Sequence, residues 1–143
     1  MNEVSVLSYN IWFDPEEEEI RIQALTDIIK MYQPDVICLQ EVKPIVLSII
    51  QEKLKNDYNY SFPKKMIQTY GCVIISKHKI QSSIEFDYPN SKMGRGLQII
   101  SCTFPLVDEE GGVIPFNLHF ANTHFESVFK QKVNKEKIEQ YEI

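Results

Sequence analysis

Asn10, Glu41, Arg95 and His124 are side chains suited to metal or phosphate chemistry, and each stands at or beside the end of a strand-like run. A carboxylate is a hard oxygen ligand for a divalent cation. An amide supports such a group by hydrogen bonding without adding charge. An imidazole donates a hydrogen bond or moves a proton near neutral pH, and a guanidinium forks onto phosphate. Arg95 lies between Gly94 and Gly96, which let the backbone come close to a ligand. Each residue also has an ordinary reading. A glutamate after an apolar strand is more often a solvated loop residue, an asparagine there can turn the chain into the next helix, and an arginine between glycines can be an exposed turn. A lone strand histidine is usually structural; His119, five residues before His124, is an internal control whose odd spacing puts it on the opposite face. Tyr70, beside Gly71, can stack on a nucleic-acid base or fill a core. Residue type alone leaves these alternatives open.

Composition narrows the classes. With 143 residues, 43% of them hydrophobic, the chain can bury one core. Fifteen basic against twenty acidic residues give a net charge of −5, which excludes nucleic-acid binding by global electrostatics and requires any phosphate contact to be local. Cys38, Cys72 and Cys102 are far apart, without a CxxC pair, and read as buried reduced thiols. The N-terminus shows no basic segment followed by an apolar one, and no run is long enough to span a bilayer. An intracellular setting is expected. Lys64-Lys65 is too short an import signal to decide between nucleus and cytoplasm.

The elements that must position these residues follow from periodicity. Val4 to Ile11 fits a strand with Asn10 near its end. Asp14, Pro15 and the acids after them predict a helix start. Ile20, Ala24, Leu25, Ile28, Ile29 and Tyr32 form its apolar stripe, and Pro34 its stop. The apolar run Val36-Ile37-Cys38-Leu39 fits a strand covered on both faces, with Gln40-Glu41 at its end. This completes a βαβ unit with parallel strands. Val46 to Leu54 reads as a second amphipathic helix. Strands are then expected near Tyr58–Phe62, Tyr70–Ser76, Ile80–Phe86, Leu97–Phe104 and Pro115–Thr123, in antiparallel meanders. The lysines at 64–65, 77–79 and 130–137 read as solvated surface. The segment from Lys130 onward is helix-permissive, with Val133, Ile138 and Tyr141 as its apolar residues.

Ser8-Tyr9-Asn10-Ile11 and Leu39-Gln40-Glu41-Val42 together resemble the N-terminal signature of the endonuclease/exonuclease/phosphatase superfamily. Asn122-Thr123-His124-Phe125-Glu126-Ser127 and the segment from Tyr88 to Leu97, with its Lys92-Met93-x-Arg95, are similar to segments of the tyrosyl-DNA phosphodiesterase branch. Four ordered blocks across most of the chain carry the resemblance. It implies an α/β fold, part of a four-layer αββα sandwich of the deoxyribonuclease-I-like kind, with a mixed sheet and covering helices. It implies a single incomplete domain over residues 1–143, because the family's later Gly-Asp-x-Asn and Asp-His motifs are not in this sequence.

The same resemblance implies a metal-dependent phosphodiesterase acting on 5′-tyrosyl-DNA adducts in DNA repair, with Mg²⁺, or Mn²⁺, as cofactor and a protein-linked DNA 5′ end as partner. Glu41 would bind the metal, Asn10 would support the metal and phosphate, and His124 would donate to the scissile phosphate. Arg95, Tyr70, Lys92, Ser127 and Glu126 would line the substrate site, while His119 and His78 would be structural. With the later motifs missing, these residues alone should be inactive, and a sheet without its packing partner should expose an apolar face open to self-association. Competing readings are an apurinic endonuclease, a deadenylase, an inositol-lipid phosphatase, a sphingomyelinase or a non-catalytic fragment.

Overall fold

The computed structural model describes residues 3–126. Val6–Asn10 (β1) and Val36–Val42 (β2) run parallel, in register from Val6 opposite Val36 to Asn10 opposite Gln40. Glu18–Tyr32 (α1) connects them, since a parallel pair needs a crossover too long for a hairpin. Pro44–Leu54 (α2) follows. Tyr60–Phe62 (β3) and Gly71–Ser76 (β4) complete a sheet of order β1-β2-β4-β3. Ile80–Asp87 (β5), Gly96–Val107 (β6) and Val113–Thr123 (β7) form a second, antiparallel meander.

Alternation along β2 separates two cores. Ile37 and Leu39 face the helices and pack with Leu25, Ile29, Leu47 and Ile50. Val36 and Cys38 face the second sheet and pack with Ile74, Ile100, Cys102 and Phe104. One helical layer and two sheets of the expected sandwich are therefore present among the described residues. The outer face of the second sheet is bare there, with Ile84 49% and Phe86 48% exposed. No helix among the described residues is long and apolar enough to cross a membrane.

Several expectations need correction. Asp14 does not cap α1; its Oδ1 accepts the Glu16 N–H, Pro15 O accepts the Glu18 N–H, and Glu17 takes a left-handed φ of 48° before the helix begins. The Arg21 guanidinium reaches back to the carbonyls of Ile11, Trp12 and Asp14, so the first turn of the helix is tied to the loop before it. The buried stripe is Ile22, Leu25, Thr26 and Ile29, whereas Ile20 (67%) and Tyr32 (73%) are exposed. Two apolar stripes share this helix, and the Arg21 tie turns the one bearing Ile22 toward Ile11 and the core. On α2 the expected residues Val46, Leu47, Ile50 and Leu54 are buried, but the helix already starts at Pro44.

Tyr58 lies before β3; its hydroxyl donates to Pro34 O at 2.7 Å, and burial pushes its pKa up. Cys72 is half-buried, where full burial was expected. Lys77 is half-buried too, because its ammonium donates to Gln33 O and sits over the Tyr58 ring. His78 ties the sheets at this end. Its Nε2 meets Asp35 Oδ1 at 3.0 Å and its ring packs on Phe104, while Ser5 gives Asp35 Oδ2 both its N–H and its hydroxyl at 2.9 Å.

Candidate active site

The opposite end of the sheets gathers the chemically competent residues. On the β4 side, β2 pairs Leu39 with Val73 and Val42 with Gly71, so Gln40 and Glu41 share the space facing Cys72. This is a β-bulge, and Glu41 takes a left-handed φ of 60°. That conformation costs a non-glycine residue roughly 1–2 kcal/mol, and bulges of this kind re-aim a side chain at the edge of a sheet. The carboxylate is held in place. Asn10 Nδ2 donates to Oε1 at 3.0 Å and the Phe13 N–H to Oε2 at 3.2 Å. Asn10 Oδ1 in turn accepts the Trp12 N–H at 2.9 Å, which fixes the orientation of the amide.

Arg95 is the other pole. It is only 6% exposed, yet no carboxylate pairs with it among the described residues. Its Nη1 lies 2.7 Å from His124 Nδ1, its guanidinium 5.7 Å from the Tyr70 ring centroid, and its Nε is buried without a partner. A guanidinium can only donate, so Nδ1 of His124 is the acceptor and the imidazole proton sits on Nε2. That nitrogen lies 3.7 Å from Glu41 Oε1. Burial lowers the His124 pKa first, and the Arg95 charge lowers it further against an opposing pull from Glu41. The ring is a neutral N–H donor at neutral pH. Tyr70 stacks on Phe13 at 4.7 Å, closing a ring of contacts back to the loop that holds Glu41.

The segment carrying Arg95 is shaped by its glycines and by Glu126. Gly94 has φ +65°, and a Cβ on Gly96 would fall 2.6 Å from the Phe86 carbonyl oxygen. Glu126 Oε1 accepts the Ser91 hydroxyl and the N–H groups of Lys92 and Met93, and Ser91 Oγ accepts the Arg95 N–H at 2.7 Å. The Ser91 hydroxyl, then these backbone donors, holds the Glu126 carboxyl below its usual range.

Of the expected site residues, Asn10, Glu41, Arg95, His124 and Tyr70 converge. Glu126 orders the loop. Lys92 is exposed and contributes its backbone N–H to that loop. Ser127 lies outside the described residues, and His119 is exposed on the opposite face of β7 from Asn122. Two residues missed from sequence complete the frame. Gln40 Nε2 donates to Asn122 Oδ1 at 2.8 Å, and Asn122 Nδ2 donates to the Leu39 and Val73 carbonyls, bridging the sheets directly beneath the site. Both are polar residues inside strand motifs, and that was the available signal: a buried amide in a strand needs partners.

Among the described residues no group of three or more His, Cys, Asp or Glu forms a metal cage. A Mg²⁺ site commonly takes only one or two carboxylates, completed by water and substrate phosphate. Glu41 fits that role. Each of its oxygens accepts one hydrogen bond and keeps a lone pair. Asn10 holds the glutamate through Nδ2, and its Oδ1, which accepts one hydrogen bond from the Trp12 N–H, likewise keeps a lone pair.

Residues 7–122 match the family model described as Endonuclease/Exonuclease/phosphatase family. The chain is 33% identical over 127 residues to a 5′-tyrosyl-DNA phosphodiesterase of Caenorhabditis elegans, covering 87% of this chain and 32% of that protein, and 31% identical over 128 residues to the Caenorhabditis briggsae one, covering 88% and 34%. It spans about a third of the length of these curated relatives. A crystal structure of truncated C. elegans TDP2 superposes with a TM-score of 0.72 at 28% identity, over 96% of this chain and 51% of that one. By the family match over most of its length, together with this fold, the chain belongs to the Endonuclease/Exonuclease/phosphatase family.

Proposed function

We propose that this chain carries the metal- and phosphate-binding part of an active site that hydrolyses the phosphodiester joining tyrosine to a DNA 5′ end. The observation that carries the reading is a buried arginine without a carboxylate partner, set against a neutral histidine whose Nε2–H faces the held Glu41. An unpaired buried cation is costly, and a phosphate oxygen would satisfy both its charge and its orphan Nε. Arg95 would grip the non-bridging oxygens as a fork, and His124 Nε2–H would add a donor where charge develops. Glu41 would hold Mg²⁺, which supplies charge neutralisation at the phosphorus when bound. The tyrosyl-DNA substrate is supported by the names of the worm relatives. Three free cysteines, Cys38, Cys72 and Cys102, and the DNA substrate fit an intracellular setting.

Among the described residues Glu41 belongs to no group of three or more His, Cys, Asp or Glu, and preparation of the attacking water would fall to residues outside them. Catalysis would need the Gly-Asp-x-Asn and Asp-His elements of the family, and this chain alone would be inactive. The apolar outer face bearing Ile84 and Phe86 would be covered by further protein or by self-association. The test is Mg²⁺-dependent release of tyrosine from a 5′-tyrosyl oligonucleotide, using this chain and a form extended by a segment bearing those elements, each with and without Glu41→Gln. Activity only in the extended form, abolished by Glu41→Gln, is expected. No activity in either, with the fold intact, would move the substrate to another phosphate ester or leave a binding role.

A further inference from the structure

Beside Arg95 a cleft opens between the start of β4 and the paired ends of β5 and β6, and its lining includes two carboxylates, Glu85 and Asp87. Glu85 and Asp87 face it from β5, opposite Gln98 and Gly96 in register, on the same inward side as buried Ile100 and Cys102. Neither carboxylate forms an ion pair among the described residues. Gln98 is 3% exposed. Its Nε2 donates to the Cys72 carbonyl at 2.9 Å and to Glu85 Oε1 at 3.1 Å, while its Oε1 is buried without a partner. Arg95, Glu85 and the half-buried Cys72 line this same cleft. The cleft thus carries a cation suited to phosphate together with two carboxylates and an unmet acceptor.

A nucleic-acid chain repeats its negative charge at every nucleotide, and a wall bearing Glu85 and Asp87 would repel the next phosphate. The DNA strand must therefore leave the scissile phosphate in another direction. The group left to enter the cleft is the non-nucleotide substituent of that phosphate, beside the Tyr70–Arg95 pair that lines it. We propose that Glu85, Asp87 and Gln98 Oε1 form a subsite for the polypeptide side of the substrate, selecting adducts whose tyrosine is flanked by ammonium or guanidinium groups. This rests on the reading of the site as one for 5′-tyrosyl DNA, and adds a charge preference on the leaving side.

The test measures binding, in chelator so that no ester is cleaved, of fluorescent oligonucleotides carrying 5′-phosphotyrosyl tripeptides Lys-Tyr-Lys, Ala-Tyr-Ala or Glu-Tyr-Glu. Exposed carboxylates act weakly, so the lysine adduct should bind about three- to tenfold more tightly than the alanine one and the glutamate adduct more weakly. High salt should compress the series. Glu85→Gln with Asp87→Asn, both at exposed positions, should bring the lysine adduct to the level of the alanine one. Equal binding of the three adducts, or a preference unchanged in the double variant, overturns the subsite and leaves the tyrosyl-DNA reading standing. Binding of every adduct no tighter than a 5′-hydroxyl oligonucleotide overturns both.

Discussion

Arg95 Nη1 stands 2.7 Å from His124 Nδ1, and only one hydrogen-bonded arrangement is open to the pair, because the guanidinium has no lone pair to offer. The arginine thus serves twice, as an anion-binding fork and as the group that sets the histidine tautomer. Long-range proton–nitrogen NMR should show His124 as the Nε2–H form at neutral pH. In Arg95→Met that preference should be lost, and affinity for a 5′-phosphorylated oligonucleotide should fall by about tenfold or more, in line with the loss of a charge-assisted pair.

The two glycines beside Arg95 should respond differently. Gly96→Ala drives a methyl group into the Phe86 carbonyl oxygen at 2.6 Å, a clash with backbone that cannot swing away. It should unseat the β5–β6 pairing at Arg95 and cost about 2 kcal/mol or more. Gly94→Ala meets no atom within 4 Å and should cost only its left-handed backbone, about 1 kcal/mol. Denaturant midpoints of the two variants decide this.

Asn122→Leu should be among the most destabilising single changes in the chain. It strips the Leu39 and Val73 carbonyls of the amide donor between the sheets and leaves Gln40 Nε2 only its 3.3 Å contacts to Ser8 Oγ and the Cys38 carbonyl. Buried groups stripped of partners cost about 1–3 kcal/mol each before relaxation, and thermal unfolding should register the loss. A stability unchanged within about 0.5 kcal/mol would show that the amide bridge is not needed to join the layers.

Acid should loosen the end of the sheets held by Asp35. Burial raises the Asp35 pKa, but the hydrogen bonds from Ser5 and His78 outweigh it and leave the carboxyl below its usual value. The stabilisation is therefore present above the unfolded-state pKa of about 3.9 and lost as pH falls through the lower folded-state value. Asp35→Asn should lower the melting temperature at pH 7 and reduce its dependence on pH below about 4. A pH profile unchanged in the variant would contradict the assignment.

Legibility from sequence followed the range of the interaction. The continuous run at Val36–Leu39 specified a strand buried on both faces, and the parallel pairing with β1 followed from one intervening helix. The rotation of α1 did not, because Ile20, Ile28 and Tyr32 and the set Ile22, Leu25 and Ile29 are both periodic, and the choice lay with Arg21 reaching a loop ten residues back. Likewise Glu41 was visible as a carboxylate at a strand end, but its left-handed bulge depends on the register with β4, some thirty residues later. Gln40 and Asn122 are 82 residues apart. Nothing local to either one announces the other.

The bulge in β2 makes the position of Glu41 a matter of counting. In an unbroken strand, adjacent residues point to opposite sides, so with Gln40 toward the second sheet Glu41 would turn to the helix side with Leu39. One surplus residue against β4 resets the phase and turns the carboxylate toward Asn10, Phe13 and His124. A point substitution nearby alters the chemistry of this site but leaves its address intact, whereas deleting Gln40 would remove the bulge, set the carboxylate in the place of the Gln40 amide opposite Cys72, and lose its left-handed aim at Asn10 and Phe13 without changing any charged residue. Insertion and deletion scanning across residues 39–42 therefore probes a kind of information that alanine scanning does not reach.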